Sequence, residues 1–253
     1  MSEAAYSKTV QPKVTVIFTA RNEEATIGKC VEAVKKSKYK PAVLVVDGYS
    51  TDNTIQAAKK AGAKVVLQER RVYPGKGVAM KTGIKTALKD GADIIVFLDA
   101  DIENLDSSWL DKLVDTLLVE RYDMVRGAYF RALRDAPVTK LVAKRLIHIF
   151  FPELEHYEQP LTGEVAAKAE VWRKVLEQDL PDGWGIDIAI LLECAMHGFS
   201  IREVHLGFKE HRSYRQYCED VSKLGKMSEQ VAVTILLAAR KYNRIDNLDE
   251  IHP

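Results

Sequence analysis

Short β-branched runs alternate with amphipathic stretches along the first half of the chain. Val14 to Thr19 predicts a strand, after which Ile27, Cys30, Val31 and Val34 recur at helical spacing opposite Glu32, Lys35 and Lys36. Ala42 to Val46 is continuously apolar, as a strand buried on both faces requires, and it stops at Asp47-Gly48. Thr51 or Asp52 can cap a helix that carries Ile55, Ala58 and Ala61 and ends at Gly62. Lys64 to Gln68 predicts a third strand and Val78 to Asp90 a third helix. Ile94 to Leu98 is the fourth and most apolar strand, running straight into Asp99-Ala100-Asp101. Leu110, Leu113, Val114, Leu117 and Leu118 form a helical stripe, and Met124 to Phe130 returns as a strand. This strict β-α alternation predicts an α/β fold with a mostly parallel sheet flanked by helices.

The second half changes character. Val138, Leu141, Val142, Leu146, Ile149 and Phe150 mark a helix that ends before Pro152, and a polar loop follows with Pro160-Leu161-Thr162-Gly163-Glu164. Ile186 to Met196 predicts a helix, Ile201 to Phe208 a strand, and Tyr214 to Tyr242 a long final helix. The pattern shows no internal repeat and no low-complexity linker, so the 253 residues are expected to share one core.

Composition narrows the field. Lys and Arg number 37 against 36 Asp and Glu, a net charge of +1, which gives no overall field for nucleic acid or an anionic membrane. Cys30, Cys194 and Cys218 are too scattered for a disulfide framework or a zinc ribbon, as in a reducing compartment. Met1 to Lys13 lacks the apolar core of a signal peptide, and no apolar run approaches the roughly 20 residues of a membrane span, so a cytoplasmic protein is expected.

Candidate chemistry gathers where the strands end, the place where open α/β sheets bind ligands. Asp99 and Asp101 put two carboxylates close together, which a hard divalent cation relieves. Mg²⁺ or Mn²⁺ takes one or two carboxylates and fills its other positions with water and phosphate oxygens, so the pair predicts a diphosphate ligand. The competing reading has Asp101 capping the next helix and Asp99 merely ending its strand. Arg70, Arg71 and Lys76 place positive charge beside Gly75 and Gly77, whose backbone amides can approach an anion. Neither Gly-x-x-x-x-Gly-Lys-Ser/Thr nor Gly-x-Gly-x-x-Gly occurs, which argues against kinase and dinucleotide chemistry. His211, by spacing alone, reads as a structural or surface histidine. Asp187 reads either as a favourable charge at a helix start or as a carboxylate for sugar hydroxyls or base catalysis, with Trp184 as a wall.

Taken together, Thr19-Ala20-Arg21-Asn22-Glu23-Glu24, Asp47-Gly48-Tyr49-Ser50-Thr51-Asp52, Gly75-Lys76-Gly77 and Asp99-Ala100-Asp101 resemble the nucleotide-sugar glycosyltransferases of the GT-A fold. Val138-Thr139-Lys140, Gln159-Pro160-Leu161-Thr162-Gly163-Glu164, Gly183-Trp184-Gly185-Ile186-Asp187 and His211-Arg212 narrow the resemblance to the glucosyl-3-phosphoglycerate and mannosyl-3-phosphoglycerate synthases. The resemblance implies a single GT-A domain, with a donor half at 14–130, an acceptor half at 131–213 and a C-terminal helix at 214–253 that could pair a homodimer. It implies that Thr19, Ala20, Arg21, Glu23, Asp47 and Gly48 hold the nucleoside, Lys76 the diphosphate, and Asp99 and Ala100 the ribose and diphosphate. Asp101 and His211, with Asp99 beside them, would bind Mg²⁺ or Mn²⁺. Leu161, Thr162, Trp184 and Asp187 would surround the transferred sugar and Thr139 and Ser213 the acceptor, with Asp187, Lys76 and Leu161 as catalytic positions.

The implied reaction moves glucose or mannose from a nucleotide diphosphate sugar to a small hydroxylated acceptor such as 3-phosphoglycerate or glycerate, with retention. Ala136 and Pro137 depart from the Gly-Arg that precedes the Val-Thr in that family, and Ser213 from its asparagine. An alternative within the same fold is transfer to a polyprenyl phosphate at a membrane surface, with Val231, Ile235 and Ala238 as an interfacial stripe; core or dimer packing is the competing account of that stripe.

Overall fold

β1 (Val14–Ala20) sits inside the sheet with β2 (Ala42–Asp47) on one side and β4 (Ile94–Asp99) on the other, all parallel. β3 (Lys64–Leu67) extends the sheet beyond β2. The register aligns Ala20 with Asp47, Asp47 with Leu67, and Thr19 with Asp99, so the carboxyl ends of all four strands reach one rim. The connecting helices are α1 (Ile27–Lys35), α2 (Thr54–Lys60), α3 (Lys76–Lys89) and α4 (Ser107–Val119), as the periodicity predicts. The structure is a computed structural model and describes residues 11–130, 136–211 and 221–245.

β5 (Met124–Phe130) does not lie next to β4. A short strand, β6 (Val165–Lys168), inserts between them antiparallel to both, and β7 (Ile201–Phe208) pairs parallel with β5 at the edge. The seven-stranded order is β3-β2-β1-β4-β6-β5-β7, a mixed and mostly parallel GT-A sheet. The two halves of the sequence therefore share one sheet.

The hydrophobic pattern gave no sign of β6 or of α6 (Ala169–Leu176), which follows it without a loop. Ala166 packs into the core on one face of the sheet and Ala167 into the core on the other, with helices against both sides, so the centre of the strand carries methyl groups in place of the β-branched residues that signal a strand. Trp172 of α6 locks this corner. It is fully buried, donates its indole N–H to the Ile95 carbonyl at 3.1 Å and meets Phe97 edge-on at 5.2 Å.

A third core lies outside the sheet, where α5 (Lys144–Phe150), α7 (Ile186–Met196) and α8 (Val221–Lys241) meet. Val231, Ile235 and Ala238 are buried there, so the stripe considered for a membrane surface is core packing within the chain. No helix among the described residues is long and apolar enough to cross a membrane. The helix expected from Val138 begins instead as a π-turn at Thr139–Ala143 before continuing as α5. α2 starts later than expected, with Asn53 at its cap, while the Asp52 carboxylate accepts from the Thr54 N–H at 3.0 Å. The start expected for the last helix, at Tyr214, lies outside the described residues.

Trp172→Ala is expected to cost about 3–5 kcal/mol, because it leaves a cavity and removes the indole hydrogen bond at the β4–β6 junction. Urea unfolding of the variant against wild type measures this.

Candidate active site

Over the rim opens a cavity of about 380 Å³, reached by the ends of β1, β2, β4 and β7 and by the first turns of α3 and α7. Its lining includes Thr19, Ala20, Arg21, Glu23 and Gly48, together with Lys76, Asp99, Ala100, Asp101 and His211, and Thr139, Leu161, Trp184 and Asp187. These candidates from the sequence make up half of the lining.

The polar runs after β1 and β2 serve largely to join their two loops. Asn22 Oδ1 accepts from the Thr51 N–H at 2.8 Å, the Asn22 N–H donates to Ser50 Oγ at 3.0 Å, and the Glu23 N–H donates to Thr54 Oγ1 at 2.8 Å. Asn22 and Tyr49 hold φ near +60°, which these side-chain bonds stabilise. Asp47, expected at the nucleoside, is fully buried and outside the lining; its carboxylate accepts from the Ser50 hydroxyl at 2.5 Å and N–H at 2.9 Å and so shapes the turn that presents Gly48.

The basic loop also differs from expectation. Arg70 pairs with Asp182 at 2.6 Å and the Arg71 guanidinium sits 5.4 Å from the Tyr49 ring centroid; neither lines the cavity. The Gly77 N–H is taken by the Asp182 carbonyl at 2.8 Å, and a Cβ at Gly77 would fall 2.0 Å from the Pro181 carbonyl oxygen. Gly77 is therefore a packing position rather than an anion cradle, and Lys76 alone of that loop brings its charge to the site.

Lys76 meets Asp187 at 2.7 Å and Asp99 at 3.4 Å. The other Asp99 oxygen meets Lys209 at 2.7 Å, and Lys209 also meets Glu164 at 2.7 Å, with its side chain only 2% exposed. Burial opposes ionisation of Asp99, but the Lys209 and Lys76 ammonium groups outweigh it and hold the carboxyl well below the usual range. Burial likewise works against charge on Lys76, and Asp187 and Asp99 overcome it, so the lysine stays protonated. At Asp187 burial prevails over the pull of Lys76 and lifts the carboxyl to about 6. Beneath this group lies fully buried Arg126 of β5, which donates to the Pro160 carbonyl at 3.0 Å and whose guanidinium pKa is lowered by burial.

Lys209, Glu164 and Arg126 had no assigned role from sequence. Lys209 directly follows a strand end, a position that could have singled it out; Arg126 lies mid-strand and carried no such signal. Thr162 is fully buried outside the lining and donates to Glu164 at 2.8 Å, so it supports the network rather than touching a sugar. The structure also separates the two carboxylates of Asp99-Ala100-Asp101: Asp99 is taken up by ammonium groups, whereas Asp101 Oδ2 lies 3.7 Å from His211 Nδ1. Burial opposes ionisation of Asp101 too, yet the His211 contact leads the forces that hold its carboxyl below the usual range.

Asp101 and His211 are brought together by backbone pairing. Ile102 and His211 form an antiparallel bridge, the Glu103 N–H donates to the Glu210 carbonyl at 2.8 Å, and Asn104 donates to the Phe208 carbonyl at 2.8 Å. No cluster of three or more His, Cys, Asp or Glu that could hold a metal exists among the described residues. A carboxylate and an imidazole on a cavity wall fit Mg²⁺ or Mn²⁺, which leave positions for phosphate oxygens, and do not fit a closed structural zinc site. Ser213 lies outside the described residues.

A mixed sheet with an Asp-x-Asp segment at the end of β4, facing a cavity between sheet rim and helical layer, defines a GT-A glycosyltransferase. Residues 15–178 match Glycosyl transferase family 2, and the chain belongs to that family. It is 33% identical over 262 residues to a glucosyl-3-phosphoglycerate synthase of Petrotoga mobilis, spanning 92% of this chain and 75% of that protein. It is 34% identical over 244 residues to the enzyme of that name from Mycolicibacterium smegmatis, spanning 88% and 76%. Its fold is similar to the crystal structure of glucosyl-3-phosphoglycerate synthase from Mycobacterium tuberculosis in complex with Mn²⁺, UDP-glucose and phosphoglyceric acid, with a TM-score of 0.77, 32% identity and coverage of 90% of this chain and 80% of that one.

Lys209→Met strands the Asp99 and Glu164 carboxylates and is expected to cost about 3–5 kcal/mol; Lys209→Met with Glu164→Gln recovers part of that loss in urea unfolding. For Asp187, whose carboxyl rises from an ordinary value of 3.8 to about 6, the folded chain holds a proton that the unfolded chain releases between those values. Its own contribution to stability therefore falls as pH rises across that window and is constant above it. The stability difference between wild type and Asp187→Asn, measured at pH 4, 5, 6 and 7.5, should follow that course.

Proposed function

We propose that this glycosyltransferase moves glucose from UDP-glucose to a small hydroxylated acid such as phosphoglycerate or glycerate, with Mg²⁺ or Mn²⁺ and with retention of configuration. The observation that carries this reading is the pair Asp101 and His211, bridged by backbone pairing on the cavity wall beside Lys76. The relatives' names and the UDP-glucose and phosphoglyceric acid in the Mycobacterium tuberculosis complex support the donor and acceptor.

In this reading Asp101 and His211 hold the cation, which supplies Lewis-acid neutralisation of the departing diphosphate. Thr19, Ala20, Arg21, Glu23 and Gly48 take the nucleoside, and Ala100 lies against the ribose. Lys76, fixed by Asp187 and Asp99, adds a positive charge where the leaving group gains negative charge. Leu161, Trp184 and Asp187 bound the sugar, and Thr139, delivered by the π-turn, meets the acceptor.

Asp99 and Asp187 are already engaged by lysines, so neither is offered as a nucleophile on the sugar. The acceptor hydroxyl attacks on the face from which the diphosphate leaves, and a departing phosphate oxygen receives its proton. Ala136 and Pro137, which stand where the resembled family has Gly-Arg, line the cavity beside Thr139. The reading includes a homodimer, which sedimentation velocity tests.

Glucose transfer should vanish with chelator and return with Mn²⁺. Asp101→Ala and His211→Ala should each lower kcat/KM by at least 100-fold, and Lys76→Ala should lower kcat about 10²–10³-fold. Transfer that survives chelation and both metal-site variants unchanged would sink the metal assignment. The anomeric configuration of the product by NMR decides the stereochemistry: a β-linked product from the α-linked donor would replace retention with inversion and make Asp187 the base.

A further inference from the structure

The nucleoside end of the cavity holds one feature that the reading above does not use. Gln68, immediately after β3, is 2% exposed and lines the cavity beside Gly48 and Gly75. Its backbone N–H donates to the Asp47 carbonyl at 3.0 Å, which fixes where the side chain starts. Its Nε2 donates to the Arg70 carbonyl at 2.7 Å and reaches the Val72 carbonyl at 3.4 Å. With the amide nitrogen committed to two carbonyls, a flipped amide would set oxygen against oxygen, so the network decides which end is which.

The opposite end, Oε1, lies against Gly48 and Gly75, which line the cavity with Gln68. A Cβ at Gly48 would lie 3.4 Å from Oε1, and one at Gly75 would lie 3.0 Å from Oε1 and 2.8 Å from Nε2, so both glycines leave the amide its room. Among the described residues no group donates to Oε1. A buried carbonyl held rigidly at a binding wall is an acceptor that a ligand N–H satisfies, and a ligand offering a lone pair there is repelled.

We propose that Gln68 selects the nucleobase of the donor by accepting a hydrogen bond from a ring N–H. This rests on the nucleotide-sugar reading given above. Uracil N3–H and guanine N1–H have this chemistry; cytosine and adenine present a ring lone pair at the corresponding edge and are rejected. The base enters beside Gly48 and Gly75, while the diphosphate extends toward Lys76 and Asp101.

The test is calorimetric binding of UDP, CDP, GDP and ADP in the presence of Mn²⁺, to wild type and to Gln68→Met. Wild type should prefer UDP over CDP by about 10-fold or more, the loss expected for one buried hydrogen bond exchanged for a repulsion. In Gln68→Met that ratio should fall toward one, with CDP binding retained, and the KM for UDP-glucose should rise more than kcat falls. A preference carried by GDP in place of UDP, and lost in the variant, supports the same recognition with guanine as the base. A ligand-side arm needs no variant: wild type should bind 3-methyl-UDP at least 10-fold more weakly than 5-methyl-UDP. Equal weakening of UDP and CDP in Gln68→Met, or equal binding of the two methylated nucleotides, would show that Gln68 only braces the loop and overturn the assignment. Binding of none of the four diphosphates would remove the donor reading and the role of Gln68 with it.

Discussion

The Asp99 carboxylate, held between Lys209 and Lys76, is the contact on which the arrangement of this site depends. Through Lys209 it reaches Glu164 ahead of β6, and through Lys76 it reaches Asp187 in the first turn of α7. One carboxylate thus ties β4 to α3, α7, the loop before β6 and the residue after β7. Ion pairs so little exposed seldom improve stability over apolar packing, since desolvation offsets most of the attraction. Their worth here is geometric. Each partner left alone would be a stranded charge, so the elements around the cavity can settle in only one relation to each other.

The mixed sheet makes that closure possible. A purely parallel order would put β5 beside β4 and leave the loop before β6 far from the rim; inserting β6 antiparallel brings Glu164 and Gly163 to the carboxyl end of β4 from the opposite direction. A Cβ at Gly163 would sit 2.3 Å from an Asp99 oxygen, so the residue between Thr162 and Glu164 must lack a side chain for the network to form. The narrowness of β6 and the closeness of its loop to Asp99 are two results of the same crowding.

Much of the fold and cavity was legible because strands and helices buried on a full face must repeat their apolar residues, and because open α/β sheets put chemistry at the strand ends. The lining residues Thr19, Ala20, Gly48, Asp99 and Asp101 all stand at such ends. What could not be read depends on partners distant in sequence. Lys209 and Arg126 look like any other basic residues until Glu164 or the Pro160 carbonyl is brought to them. Asp47, Arg70 and Gly77 have residue types suited to ligands, yet Ser50 and Asp182 take up their polar groups. Val165–Lys168 breaks the pattern because alanines, Ala166 and Ala167, fill its two central core positions in place of the β-branched residues that announce a strand.

The network also bears on why a nearly neutral chain should need a cation to hold an anionic donor. Lys76, Lys209 and Arg126 are matched by Asp99, Asp187 and Glu164, so these six groups cancel and leave little net field at the rim. Asp101 adds a further negative charge on the cavity wall, one that a diphosphate would meet as repulsion. In the proposed reaction a divalent ion at Asp101 and His211 reverses that sign locally, while Lys76 is shared between Asp187 and the phosphates. Cation and donor then bind as one unit: the ion lacks enough protein ligands without phosphate oxygens, and the phosphates lack enough positive charge without the ion. In that proposal, metal dependence follows from how completely the site's own charges have already paired.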